Sequence, residues 1–326
     1  GFNDMYNRLK KDNFNIPEWV ANIKNKSSFK FYKRKDGKLF TYNPNSSSYD
    51  VSSRSLVFNL IKTKNKKPIF KHWSASLHDI GDNIIGLEMH SVLQPNLNPI
   101  DGSVMESIQY AIDYAEDNKH SGIILSGDGN NFSAGANLTM ILNAINRKDW
   151  LSIEKLIRHM QDILQSLKYC SVPVIAAPYG LILGGGVELI SACNQVIAAA
   201  ESYLGLVEVG VGLIPGAGGN LRMLSHLSKK SKTIMPGNFQ VVQQSFETIG
   251  FAKIATSALH GKKLGYLEDN DLIVMNREKL LESAKKNILK LVNIYKTPDP
   301  EEFKLPGTSG RLAIEATIKG FLKSKI

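Results

Sequence analysis

The sequence predicts an α/β domain closed by a helical layer at its C-terminal end, and two observations carry that reading. From Ile69 onward short apolar strands alternate with helices: residues 84–90, 123–126 and 174–177 read as strands, and residues 103–118 and 149–168 as helices. Beyond Gly219 the strands nearly vanish, while residues 277–295 and 311–323 repeat apolar side chains at helical spacing. With 326 residues and 43% hydrophobic content, the chain can bury one large core and carry a smaller piece beside it.

Residues 1–25 read as helix, with Pro17 opening a last short turn before Trp19 and Val20. Residues 29–32 and 38–42 read as strands joined at Asp36-Gly37, a hairpin signal. Residues 43–68, rich in Ser, Asn and Lys and closed by Pro68, read as a linker or loop. The expected division is therefore an appendage over residues 1–68 and a main domain over residues 69–326.

The net charge of +10 is unevenly placed, since residues 1–71 hold 16 Lys and Arg against 5 Asp and Glu, and residues 72–326 hold 24 against 25. The excess belongs to the appendage, where Lys24, Lys26, Lys30, Lys33, Arg34, Lys35 and Lys38 interleave with Phe29, Phe31 and Tyr32. Such a mixture suits RNA, but no RNA-binding signature accompanies it, so a solvated hairpin is expected and no nucleic-acid partner. No window holds the roughly 20 uninterrupted apolar residues of a membrane helix, because Pro173, Pro178 and several glycines break the most apolar run. No membrane span is expected. Cys170 and Cys193 lie in apolar surroundings without CxxC spacing, which fits reduced, buried thiols and a cytoplasmic protein. Gly1 opens the chain with neither Met nor an apolar signal segment, so it reads as part of something longer.

Three glycine-rich stretches follow apolar strands: Asn131-Phe-Ser-Ala-Gly-Ala-Asn137, Leu183-Gly-Gly-Gly-Val-Glu188 and Ile214-Pro-Gly-Ala-Gly-Gly219. Small residues let a ligand approach the backbone. Gly184, Gly185 and Gly186 sit where the strand at 174–177 is expected to turn into an apolar helix at 187–192, so amides there would face an anion at a positive helix end. Close strand-to-helix packing needs the same residues. A dinucleotide site is excluded, because no stretch reads GxGxxG after an early strand. There is no GxSxG elbow and no HExxH, and the seven histidines lack ligand spacing, so no metal is expected.

Two acids in apolar context remain: Glu188 in Val187-Glu-Leu-Ile-Ser-Ala-Cys193 and Glu208 in Tyr203-Leu-Gly-Leu-Val-Glu-Val-Gly-Val211. Each either pairs with a buried base, for which Arg222 is the only near candidate, or accepts from backbone amides, or is a desolvated acid with raised pKa of the kind general acid/base chemistry uses.

In order and spacing the three blocks, with Glu208 before the third, resemble the signature blocks of the crotonase superfamily, from about residue 84 to about residue 271. The resemblance implies a ββα spiral with a C-terminal helical layer and an acyl-CoA substrate, so coenzyme A enters with the substrate and no cofactor is tightly bound. It implies catalytic roles for Glu188 and Glu208 and oxyanion-hole amides at Ala136 and Gly185. Substrate contacts then fall on Ala134, Gly135, Gly184, Gly186, Pro215 and Gly216. It further implies a trimer-based homo-oligomer and a thiolase as partner in fatty-acid oxidation.

Retention of both acids favours an enoyl-CoA hydratase over a delta(3)-delta(2)-enoyl-CoA isomerase or a non-catalytic acyl-CoA-binding module. Asn98-Pro-Ile-Asp101 and Tyr203–Pro215 are similar to stretches in fused proteins that join a 3-hydroxyacyl-CoA dehydrogenase to a hydratase. Ile16-Pro-Glu-Trp19 and Phe31-Tyr-Lys-Arg-Lys-Asp-Gly37 are similar to the tail of the dehydrogenase part. The sequence departs from the pattern at Asn137 and Asn194, where Asp is common, at Gln94-Pro-Asn96, where a basic residue is common, and over residues 224–258, including Met235-Pro-Gly-Asn238.

Overall fold

The computed structural model describes residues 2–23, 30–35, 38–51, 56–64, 67–230, 239–303 and 305–324, so the Asp36-Gly37 turn and Met235–Asn238 lie outside the described residues. The chain forms two compact units, Gly1–Ser55 and Leu56–Ile326. The first holds helices α1 (Phe2–Lys11) and α2 (Glu18–Ile23) and a three-stranded antiparallel sheet of β1 (Tyr32–Lys35), β2 (Lys38–Asn43) and β3 (Ser48–Val51). The expected single helix is two, because the chain turns at Asn13 with φ 54° before Pro17 restarts it. Val20, Ile23 and Tyr42 are its buried apolar side chains, with Trp19 stacking against Tyr42 at 6.2 Å.

The stretch expected as a linker contains regular structure among its described residues. Besides β3, it contains α3 (Phe58–Lys64), whose Phe58 and Ile61 are buried in the core of the second unit. Each such burial contributes about 1.5–3 kcal/mol, which fixes a helix that Ser- and Lys-rich flanks conceal in the sequence.

The second unit is built on a seven-stranded sheet. Its strands are β4 (Phe70–Lys71), β5 (Ala75–Asp79), β6 (Ile84–Met89), β7 (Gly122–Gly127), β8 (Val174–Ala176), β10 (Gln195–Ala199) and β12 (Leu272–Val274). The spatial order is β12-β10-β8-β7-β6-β5-β4, antiparallel from β4 to β6 and parallel from β6 to β12. Successive side chains alternate between faces: Ile123 and Leu125 join one core cluster while Ile124 joins the other, as do Val174 and Ala176 against Ile175. Burial on both faces explains why these strands are continuous apolar runs in the sequence.

Helices α4 (Gly102–Asp117), α5 (Leu138–Asn146) and α6 (Trp150–Lys168) connect β6 to β8 around β7. Side chains of Asp101, Asn137 and Asp149 cap them by accepting from Val104, Thr139 and Ser152 amides. Asn137 thus performs the cap without a charge. Asn194 accepts from the Val174 amide at 2.7 Å in the same neutral way.

A second sheet pairs β9 (Gly180–Leu183) with β11 (Ser202–Gly205) in parallel, Leu183 opposite Gly205. The strand feeding the glycine turn is therefore β9, and not residues 174–177; positive φ at Gly180 lets the chain leave the main sheet after β8. Helix α7 (Gly185–Ser191) follows the turn, and α8 (Gly219–Lys230), α9 (Phe239–Gly250), α10 (Ala258–Leu264), α11 (Leu280–Leu291) and α12 (Gly307–Ser324) form the C-terminal layer.

Candidate active site

The first glycine block is threaded between two neighbours that consume its amides. Ser133 donates to Leu181 O at 3.0 Å, Ala134 to Leu97 O at 2.7 Å and Asn137 to Ile100 O at 3.1 Å, while Gly135 donates to Ser133 Oγ at 3.1 Å. The Ala136 N–H, between these paired amides, has no acceptor among the described residues. Gly185 opens α7, where a helix leaves its first amides without an intrahelical acceptor, and its N–H also has none among the described residues.

A Cβ on Gly185 would lie 3.4 Å from Ala136 N, so the two unpaired donors are neighbours. Glycine is required on both sides of them. Gly135 has φ +101° and a Cβ there would stand 3.0 Å from Leu183 O, and Gly184 has φ +51°. Gly186 packs on the Ser133 carbonyl, at 2.9 Å from a would-be Cβ.

Glu188 projects from α7 and is 4% exposed. Its Oε1 accepts from the amides of Ala217 at 2.8 Å and Gly219 at 2.9 Å. Burial pushes its pKa up, and those two hydrogen bonds, which favour the carboxylate, work against the rise. Arg222 is not its partner; α8 turns that guanidinium to Gln165 Oε1 at 3.1 Å.

Glu208 is the first residue of the 3₁₀ turn Glu208–Val211 after β11. Both carboxyl oxygens are buried without a hydrogen-bond partner among the described residues. Burial, reinforced by the charge of Glu188, raises its pKa from 4.5 to about 7. Its Oε1 lies 3.4 Å from the position of a Gly184 Cβ, against the turn that presents Gly185.

The third block approaches through its backbone. Pro215 O accepts from Asn220 Nδ2 at 3.0 Å, and Gly216 O from Gln161 Nε2 at 2.6 Å. Residues of α6 that the sequence reading did not single out stand here. Met160 Cε lies 3.2 Å from the Gly185 Cβ position and Ile157 3.7 Å from that of Gly216. Their signal was the apolar recurrence Ile153, Ile157, Met160, Leu164 in a helix.

A cavity of about 270 Å³, with Trp73, Ser91, Pro99, Asp101 and Asn137 in its wall, opens beside the first block. A larger one of about 870 Å³, near Lys62, His72, His78 and His90, has neither glutamate in its wall, so volume does not locate the paired acids. Among the described residues no cluster of His, Cys, Asp or Glu is arranged to hold a metal ion, and no helix is long and apolar enough to cross a membrane.

Residues 80–237 match the enoyl-CoA hydratase/isomerase family. Over 316 residues, 96% of this chain, the sequence is 32% identical to a Bacillus subtilis (strain 168) protein named "Probable 3-hydroxyacyl-CoA dehydrogenase", of which it spans 39%. Over 263 residues, 80% of this chain, it is 30% identical to a Rickettsia prowazekii (strain Madrid E) protein named for a fatty acid oxidation complex trifunctional enzyme, of which it spans 34%. The chain thus covers well under two thirds of either relative. Its fold is that of the crotonase-type structures: the crystal structure of an enoyl-CoA hydratase from Bacillus anthracis superposes with a TM-score of 0.55 at 25% identity, over 67% of this chain and 76% of that one.

Proposed function

From the match of residues 80–237 to the enoyl-CoA hydratase/isomerase family and the likeness to its relatives, we propose that the chain is an enoyl-CoA hydratase, adding water across a 2-enoyl-CoA double bond to give a 3-hydroxyacyl-CoA in fatty-acid oxidation. One observation carries the finer reading. The two acids sit in different environments, Glu188 accepting hydrogen bonds from two amides and Glu208 with no well-formed hydrogen bond among the described residues.

In this reading the thioester oxygen lies between the free N–H groups of Ala136 and Gly185, which stabilise the charge that builds there as the β-carbon is attacked. Each donor is worth about 10²- to 10³-fold. Glu188 takes a proton from water as its oxygen bonds to the β-carbon, and Glu208, protonated near neutral pH, gives its proton to the α-carbon. The product gains one O–H group at the β-carbon and one hydrogen at the α-carbon, and the proton returns from Glu188 to Glu208 through solvent. Ala134, Gly135, Gly184, Gly186, Pro215 and Gly216 form the close-packed backbone walls that let the thioester reach those amides.

The test is turnover of crotonyl-CoA and of a 3-enoyl-CoA by the purified chain. Hydration of the first is expected. Conversion of the 3-enoyl substrate to the 2-enoyl isomer without hydration would assign the site to an isomerase.

For the first unit, we propose the tail of a 3-hydroxyacyl-CoA dehydrogenase part, a reading supported by a similarity to the Bacillus subtilis protein that extends over 96% of this chain. The chain alone should then not reduce NAD with 3-hydroxyacyl-CoA.

A further inference from the structure

Where α6 meets α8, two largely buried basic residues have no ion-pair partner among the described residues. Lys168, in the last turn of α6, is 9% exposed, and Arg222 of α8 is 8% exposed. No Asp or Glu oxygen among the described residues lies within 4.0 Å of either head group. The only Asp or Glu outside the described residues is Asp36, in the first unit.

The acids whose charge is felt at Lys168, Glu268 and Glu301, are already engaged. Glu268 takes Lys229 at 3.1 Å and His226 at 3.3 Å, and Glu301 takes Lys229 at 2.9 Å and the Ser225 hydroxyl. Arg222 makes one side-chain hydrogen bond, to the neutral amide of Gln165. The carbonyl end of α6 suits a cation at Lys168 but supplies nothing to Arg222. Burial, together with Arg222 and Lys229, accordingly depresses the Lys168 pKa. A buried charge left unpaired is strongly unfavourable, and two adjacent ones of like sign more so.

We propose that Lys168 and Arg222 form a binding site for a small oxyanion, a phosphate or carboxylate group, seated between α6 and α8 and separate from the paired glutamates. The guanidinium offers a planar fork of donors to two oxygens and the ammonium a point charge to a third, which is the pairing oxyanions accept. Nothing in the hydratase chemistry uses either residue, so the site stands or falls independently of that reading.

Thermal melting of the purified chain in inorganic phosphate against chloride at matched ionic strength tests it, with sodium acetate as the carboxylate arm. At phosphate about ten times its dissociation constant, Tm should rise by about 2–5 °C. Lys168→Met and Arg222→Met should each abolish that rise. In chloride, Lys168→Met should melt no lower than the native chain, because it removes a charge that nothing pairs. A phosphate effect unchanged in both variants would mark an adventitious ion only. No phosphate or acetate effect on the native chain, or a Lys168→Met variant equally destabilised in both salts, would overturn the site. So would a stabilisation that depends on protein concentration and not on phosphate, which would place a carboxylate of a second copy there.

Discussion

Replacing Glu208 by Gln should make the protein more stable and far less active, and the two effects have one cause. In the folded chain the Glu208 carboxyl binds its proton up to about pH 7, whereas in the unfolded chain it loses it near 4.5. A raised acid pKa means the folded state holds more protons than the unfolded state between those values, so stability falls as pH rises through that window and the penalty is complete above it. A displacement from 4.5 to about 7 corresponds to about 3 kcal/mol against the charged form. Glu208 is only partly buried, and solvent screening reduces the share expressed in stability to about 1–2 kcal/mol. Glutamine keeps the shape and carries no charge, so Glu208→Gln should melt about 2–5 °C higher than the native chain near pH 8 and at the same temperature near pH 4.5. Hydration of crotonyl-CoA should fall by at least about 10²-fold, since an amide has no proton to give the α-carbon. Calorimetry at the two pH values and a steady-state assay read both. A variant that is less stable near pH 8 would mean that the native carboxylate has partners, and the argument for an orphaned acid would fail.

Glu188→Gln should also lower turnover by at least about 10²-fold with acyl-CoA affinity within a few-fold, and the double variant should be little worse than the slower single one, because both acids serve one addition step; steady-state kinetics of all three variants decides it. Gly219→Ala adds a Cβ 2.9 Å from Leu206 Cδ2 and 3.1 Å from Glu188 Cγ, so it should displace the Glu188 carboxyl and cut kcat by about tenfold, with fluorescence or circular dichroism confirming the fold. Turnover should survive EDTA; loss on chelation with recovery on added zinc or magnesium would defeat the mechanism.

The apolar strands were legible because the sheet is buried on both faces, which leaves Ile123–Leu125 and Val174–Ala176 as unbroken apolar runs. The acids were legible for the converse reason, a carboxylate between valines and leucines being costly unless used. What stayed hidden depends on partners distant in the chain. The apolar run Leu56–Ile61 is short and set between Ser- and Lys-rich flanks, and only the fold shows Phe58 and Ile61 clustered with Ile84, Ile124 and Ile175. The switch from β8 to β9 before the glycine turn rests on one positive φ at Gly180. Arg222, the nearest base to Glu208 in sequence, turns instead to Gln165 of α6.

The difference in environment between the two glutamates was equally invisible, because distant parts of the chain set it at Glu188. Amides of Ala217 and Gly219, some thirty positions along the chain, hydrogen-bond Glu188, whereas Glu208 has only its own amide and that of Val207 close by, neither in hydrogen-bonding geometry. Two identical side chains in similar apolar contexts are thereby separated into a carboxylate with fixed donors and an acid pushed to about 7. That separation is the property an addition of water needs, since the step consumes one base and one acid at the same pH. Gly219→Ala leaves both glutamates in the sequence but crowds Glu188 Cγ and Oε1 at 3.1 Å, so a loss of turnover in that variant discriminates this account from one in which the presence of the two glutamates alone suffices.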